Sequence, residues 1–212
     1  MKKIIPTLWL TMISSISVLA LQHRTVEQEK AALPGFKTYL SKNLGIEFNY
    51  PKILKVWEEK KSGIVVIEHR ISFEYQDPCN GSVLRSRSKK ILDFYSQISI
   101  LHLTPTEVFR QEVMEKNEAG LITGVRNSVR VTYGELDGFR VYNGEHGCGP
   151  FSYFFQLAPQ KVLKVDRWPS PEFAEISVEE KQIFSRLRQI LLPENEEHIF
   201  REILTSLKWG IQ

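Results

Sequence analysis

Strict alternation of apolar and polar positions is clearest in residues 63–75. One set of alternate positions is Ile67, His69, Ile71, Phe73 and Tyr75, and the other is Glu68, Arg70, Ser72 and Glu74. Because successive side chains of a strand point to opposite faces, this pattern predicts a strand with one buried face. Related patterns predict strands over residues 45–51, 54–59, 92–103, 128–135, 138–145, 150–157 and 162–168.

Turn residues separate these predicted strands. Asp137-Gly138 and residues 158–161 are typical of hairpin turns, so the second half of the chain should form an antiparallel meander. Residues 76–87 contain Asp77-Pro78 and Asn80-Gly81, which indicate a surface loop.

Helices are predicted by capping signals followed by apolar residues at helical spacing. Thr104-Pro105-Thr106-Glu107 begins a helix that should continue to about Asn117. Ser177-Val178-Glu179-Glu180 begins another through Leu192, and a final helix should span residues 194–208. Paired strands with segregated helices indicate an α+β fold, an antiparallel sheet covered by helices.

The first twenty residues are typical of a secretory signal peptide. Lys2 and Lys3 precede an apolar run from Ile4 to Val18, and Ala20 offers a cleavage position. We therefore expect a signal peptide over residues 1–20, an N-terminal extension over 21–44 and a single domain over 45–212, in the periplasm or secreted. An uncleaved membrane anchor stays open as the alternative, and only in that form would the chain contact a membrane.

The charge balance argues against a nucleic-acid partner. The chain has 28 basic and 25 acidic residues, a net charge of +3, and loss of Lys2 and Lys3 with the leader would bring it closer to neutrality. Nucleic-acid binding usually requires a strongly basic face. A protein or another envelope component is the expected partner.

Two segments resemble the PsbP-like family, which includes a photosystem extrinsic subunit and many exported bacterial proteins. They are Gly45-Ile46-Glu47-Phe48-Asn49-Tyr50-Pro51 and the closing stretch Ile199-Phe200-Arg201-Glu202-Ile203-Leu204-Thr205-Ser206-Leu207-Lys208-Trp209. The resemblance implies an αβα sandwich that binds partners and has no shared catalytic residues. The two cysteines and the glycine-rich residues 144–149 depart from the family pattern.

Cys79 and Cys148 are the two cysteines of the chain. In an exported protein they predict a disulfide bond that stabilises the fold. The alternative is an enzymatic site, because His146 and Cys148 are two positions apart and share one face of an extended strand, where His146 could activate the thiol. Two ligands do not make a metal site, so no metal and no cofactor are expected.

The remaining candidates are aromatic residues and one histidine. In Phe151-Ser152-Tyr153-Phe154-Phe155, alternation leaves Phe154 on the face opposite Phe151, Tyr153 and Phe155. That opposite face is expected to be covered by a helix or by a partner, and an exposed Phe154 beside Trp168 would anchor a partner. His69 is expected to be a satisfied core histidine, and Glu68 or Asp166 could join it only if the fold brings them together.

Three functions follow from these observations. The first is a non-enzymatic binding or accessory protein of the bacterial envelope, favoured because the usual catalytic signatures are missing from the sequence. The second is an exported enzyme with a site around Cys148 and His146. The third is a membrane-tethered subunit of an envelope complex.

Overall fold

The structure is a computed structural model that describes residues 35–76, 87–144, 149–168 and 193–211. It also describes Glu179, Gln182, Ile183, Arg186, Leu187, Ile190 and Leu191. The elements are β1 (Phe36–Ser41), β2 (Ile46–Pro51), β3 (Lys55–Glu58), β4 (Val65–Gln76), β5 (Arg87–Leu101), α1 (Pro105–Glu112), β6 (Met114–Lys116), β7 (Ile122–Val125), β8 (Ser128–Tyr133), β9 (Leu136–Tyr142), β10 (Phe151–Ala158), β11 (Lys161–Trp168), α2 (Pro193–Thr205) and β12 (Lys208–Trp209).

Seven strands form the largest sheet, in the order β3-β4-β5-β11-β10-β9-β8. All neighbouring strands are antiparallel. Neighbours are also consecutive along the chain, except that β11 lies beside β5, and β11 to β8 follow across the sheet in reverse chain order. Apolar residues at alternate positions explain this arrangement, since each strand can bury one face in this way. The meander predicted for the second half of the chain is confirmed, but its first turn lies at Gly134-Glu135, and Asp137-Gly138, predicted as that turn, lie within β9.

One face of this sheet packs against α2. The helix buries Ile199, Phe200, Ile203 and Leu204, and the ring of Phe200 lies 4.9 Å from that of Tyr153 on β10. Burying each large apolar side chain stabilises the fold by roughly 1.5–3 kcal/mol. The residues predicted as the inner stripe of the terminal helix are therefore confirmed as core residues.

A buried ionic contact joins the same face to α2. Arg167 of β11 donates to Glu196 at 3.0 Å and also to Glu197, while its guanidinium lies 4.7 Å from the centre of the Phe200 ring. Burial alone would lower the pKa of Arg167, but the charges of Glu196 and Glu197 outweigh it and raise the pKa above its ordinary value. The arginine therefore stays charged inside the fold.

The remaining strands form two small sheets. β1, β2 and β12 pair in the order β1-β2-β12, with Ile46 and Phe48 of β2 fully buried. β6 and β7 form a hairpin between α1 and β8. Residues 36–41, assigned from the sequence to an N-terminal extension, are thus part of a sheet, and the folded domain begins before residue 45.

The expected α+β fold, an αβα sandwich, is wrong. The described residues are mostly strand, in three antiparallel sheets with two helices, so the fold is β-rich. Three segments account for much of the difference: residues 36–41 form a strand, α1 ends at Glu112 instead of near Asn117, and residues 114–125 form a hairpin. Val113 caps α1, after which the chain turns directly into β6.

Some expectations fall on residues that the structure does not describe. They are the leader, the extension up to residue 34, most of the loop at 76–87 and most of the helix at 177–192, and they stay predictions. Glu179, Gln182 and Ile183 are helical, but Ile183, expected to point inward, is 55% exposed.

Candidate binding groove

A groove of about 380 Å³ lies on the sheet face opposite α2, between α1 and the last strands of the sheet. The first turns of α1 form one wall, and β8 and β9 form the other. The lining residues are Pro105, Val108, Ser128, Arg130, Asp137, Gly138, Phe139, Phe154, Gln156 and Val162. The volume falls in the range typical of pockets for small ligands or for an anchoring side chain.

The position of α1 follows from its capping box. The hydroxyl of Thr104 accepts a hydrogen bond from the backbone N–H of Glu107 at 3.2 Å, and the Glu107 carboxylate accepts one from the backbone N–H of Thr104 at 2.8 Å. The bond from the Thr104 N–H, together with one that the Thr104 hydroxyl donates to the same carboxylate at 2.8 Å, holds the pKa of Glu107 below its ordinary value. Val108 and Val113 then pack on the sheet with Val141, Phe154 and Val162.

The floor of the groove is aromatic. Phe139 and Phe154 stack with ring centres 5.1 Å apart, and Phe109 of α1 meets Phe139 edge-on at 5.5 Å. Gly138 allows this floor to form, because a Cβ there would lie 1.9 Å from the backbone oxygen of Phe154. A ligand in the groove therefore meets the partly exposed ring of Phe139, which rests on the buried ring of Phe154.

The rim of the groove is charged. Arg130 on β8 donates two hydrogen bonds to Asp137 on β9, at 3.1 and 2.8 Å, and Thr132 donates a third at 3.1 Å. The bonds from Arg130 are the main reason that the pKa of Asp137 lies below its ordinary value. Both charges are exposed, so the rim offers hydrogen-bonding groups of both signs to a ligand whose apolar part covers the floor.

A chain of polar side chains continues on the same sheet face. Arg126 donates to Asn143 at 2.7 Å, Asn143 donates to Ser152 at 2.8 Å, and Ser152 donates to Asp166, which also pairs with Lys164 at 3.3 Å. Because these groups satisfy one another, they fix the side chains of β9, β10 and β11 beside the groove.

The two predicted anchor residues have different environments. Phe154 is 1% exposed and packs against Val108 of α1, so a helix covers this residue, and Phe154 forms part of the groove floor and not an exposed anchor. Trp168 is partly exposed and packs on Tyr95 with ring centres 5.0 Å apart. Phe154 pairs with Lys164, four residues before Trp168 on β11, so the two aromatic residues are not adjacent.

Cys79, Cys148 and His146 lie outside the described residues, and both the disulfide and the enzymatic alternative stay predictions. The residues on both sides of His146 and Cys148 are described. The backbone N–H of Asn143 donates to the carbonyl of Pro150 at 2.9 Å, and a Cβ on Gly149 would lie 2.3 Å from Cα of Gly144. Residues 143 and 144 therefore lie close to residues 149 and 150.

His69 lies on the other face of the sheet, towards the core. Its Nδ1 is 2.6 Å from Oδ1 of Asp93, and both side chains are buried. Glu68, the residue before His69 on β4, points to the opposite face and pairs with Tyr95. Asp166 points to that opposite face too, because it pairs with Gln97, two residues after Tyr95 on β5. Sequence reasoning missed Asp93, although a carboxylate among apolar residues in Ile91-Leu92-Asp93-Phe94 was an available signal.

The described residues lack two features. They contain no group of three or more His, Cys, Asp or Glu side chains placed to hold a metal ion. None of the helices in the described ranges has both the length and the apolar character needed to cross a membrane.

Comparison with solved structures finds weak structural likeness, and comparison with families and curated proteins finds none. No protein-family model matches the chain, and no curated protein matches it. A crystal structure from Bacteroides thetaiotaomicron VPI-5482, at 1.50 Å resolution, is similar with 14% sequence identity and a TM-score of 0.41. The match covers 83% of this chain and 49% of the other, so this chain spans about half the length of that structure.

Proposed function

We propose that this chain is an exported, non-enzymatic binding or accessory protein of the bacterial cell envelope, and that its partner occupies the groove beneath α1. The observation that carries the proposal is the groove itself, with Phe139 and Phe154 as an apolar floor and Arg130 and Asp137 as a charged rim. The leader-like first twenty residues support export, and the PsbP-like resemblance, which stays a prediction, favours a binding role.

The lining defines the chemistry of the partner. The partly exposed ring of Phe139 favours an apolar or aromatic group, because such a group removes apolar surface of this ring from water. The exposed Arg130 and Asp137 then pair with polar groups beside that apolar part. A protein side chain with its flanking backbone, or an amphipathic envelope component, has both features.

The groove is tested by filling it. Gln156 is exposed and lines the groove, so Gln156→Trp places a large ring at the mouth without disturbing the core. Lys37→Trp adds the same ring at an exposed position of β1, outside the groove, and is the matched control. Each tagged full-length protein is incubated with an envelope extract, and bound components are compared by mass spectrometry.

We expect a component that the natural protein and Lys37→Trp retain and that Gln156→Trp loses. Equal retention by all three proteins would contradict binding in the groove, and no specific retention by any of them would contradict the binding function. Export is tested separately: fractionation should find the chain in the periplasm or medium, shortened by about twenty residues in intact mass.

A further inference from the structure

The strand β8 ends the seven-stranded sheet with an edge that no other described strand pairs with. It pairs with β9 on one side only. Val129 is 44% exposed and the side chain of Arg130 is 81% exposed, so solvent reaches this edge. An exposed strand edge carries a row of unsatisfied N–H and C=O groups, and another strand is the natural partner for such a row.

The sequence of β8 has little of the usual protection of an edge strand, because Arg130 is its one charged residue. Its six residues, Ser-Val-Arg-Val-Thr-Tyr, include no proline, no lysine and three β-branched side chains. Val129 and Val131 point to the α2 face, whereas Arg130 and Thr132 point to the groove face, as their pairings with Arg140, Gly138, Phe139 and Asp137 show. Both faces of an added strand would therefore find matching neighbours.

We propose that β8 pairs with β8 of a second copy of this chain, antiparallel about a two-fold axis, so that the two large sheets become continuous. A two-fold axis between antiparallel strands is perpendicular to the sheet, so directly opposite residues point to the same face. This condition holds only when one β8 residue lies opposite its own copy at the axis, because residues an even number of positions apart then face each other.

Charge disfavours one of these registers and favours another. A register centred on Arg130 places two arginines directly opposite each other, which is unfavourable. A register centred on Val131 pairs the two Val131 side chains and places Arg130 of each copy opposite Thr132 of the other. Asp137 lies opposite Thr132 on the next strand, β9. Arg130 of the second copy is therefore about two strand spacings, roughly 10 Å, from Asp137, a distance that the arginine and aspartate side chains can span together.

In this register Arg130 of each copy faces Asp137 of the other copy, so opposite charges meet across the axis. The second copy also adds to the rim of the groove. Arg130 of one copy already bonds Asp137 of its own chain. The arginine of the other copy approaches the same carboxylate from the far side, beside the groove mouth. The inference goes beyond the binding function, because a monomer with the same groove could still bind a partner.

The test is the mass of the purified full-length protein in sedimentation velocity at concentrations up to about 0.1 mM. We expect a dimer that Val131→Lys weakens by about tenfold or more, because two lysines would meet at the axis. Thr38→Lys, on the exposed edge strand β1 of the small sheet, is the matched control and should leave the dimer intact.

Charge reversal separates pairing from misfolding. Arg130→Glu should dissociate the dimer, and the double variant Arg130→Glu with Asp137→Arg should restore it, because the alternation of charges returns. Circular dichroism of each variant checks the fold. A monomer at every concentration would overturn the proposal, and so would a dimer that survives both Val131→Lys and Arg130→Glu, which would place the contact elsewhere.

Discussion

His69 and Asp93 form a buried pair in which Nδ1 of the imidazole lies 2.6 Å from Oδ1 of the carboxylate. The pairing of β4 and β5 shifts register at this point, from His69 opposite Phe94 to Arg70 opposite Leu92, which leaves Asp93 as the extra residue of a bulge. The other carboxylate oxygen accepts the backbone N–H of Leu191 at 2.8 Å. Asp93 therefore ties the segment before α2 to the sheet.

Removing the carboxylate of Asp93 should destabilise the fold strongly. Asp93→Ala leaves the ring nitrogen of His69 and the N–H of Leu191 without this acceptor in a buried place, a loss of about 2–4 kcal/mol in the free energy of unfolding. Urea denaturation at neutral pH measures the change. The control is Thr38→Ala, which removes an exposed hydrogen bond to Asn49 and should change the stability little. An unchanged urea midpoint for Asp93→Ala would contradict the role assigned to this carboxylate.

The helix cap at Thr104 gives a second prediction, with a defined pH dependence. Thr104→Ala removes the acceptor for the Glu107 N–H and should lower the free energy of unfolding by about 1 kcal/mol, whereas Thr104→Ser keeps the hydroxyl and should resemble the natural protein. Thermal unfolding measures both variants.

The pKa of Glu107 lies below its ordinary value of 4.5 because of the backbone and hydroxyl groups of Thr104. A carboxylate with a lowered pKa stabilises the folded state above the ordinary value, and this stabilisation is lost as the pH falls through the folded pKa. Thr104→Ala keeps the backbone N–H and loses only the hydroxyl bond to the Glu107 carboxylate, so the part of the difference that depends on this bond should be lost in acid. A difference that grows below pH 4 would contradict the capping box.

Most long strands could be predicted from the sequence because one face of each packs on a core. In β10 and β11, alternate apolar residues fall on the α2 face, and this signal is local to the strand. The capping box of α1 is equally local, since Thr104 and Glu107 are three residues apart. These features need no information from distant parts of the chain.

The missed elements depend on distant partners. β1 presents mostly exposed side chains, and its pairing with β2 gives it order, so its own sequence carries little strand signal. β7 likewise exposes Ile122 and Val125, at 59% and 64%. The groove was missed for the same reason: alternation placed Phe154 on the correct face, but only the packing of α1 shows that Phe154 is covered.

Tyr133 gives a prediction for alkaline pH. Burial is the main cause that raises the pKa of Tyr133 to about 12, from an ordinary value of 10. Because this pKa is raised, the contribution of Tyr133 to the stability of the fold is complete below pH 10. It is lost as the pH rises towards 12, because Tyr133 ionises at lower pH in the unfolded chain than in the folded protein. The free energy of unfolding should fall through this window, by no more than about 1.4 kcal/mol per pH unit for one proton.

Tyr133→Phe removes the ionising group and should make that fall less steep, with the other tyrosines unchanged. Denaturation at several values between pH 9 and pH 12 compares the two proteins, and ultraviolet absorbance of the folded protein follows phenolate formation. Identical slopes for Tyr133→Phe and the natural protein would show that Tyr133 ionises as freely in the folded state as in the unfolded chain.

The cysteines give the last prediction, which bears on export and on the choice between a binding protein and an enzyme. A Cys79–Cys148 bond closes a loop of about 70 residues and should stabilise the fold by about 4 kcal/mol in the chain-entropy model. Protein purified from the periplasm without reductant should therefore show no reactive thiol under denaturing conditions, and reductant should lower its urea midpoint. Cys79→Ser with Cys148→Ser should match the reduced protein in stability and still bind its partner. Two reactive thiols in the native protein, or a turnover that Cys148→Ser abolishes, would instead favour the enzymatic alternative around Cys148 and His146.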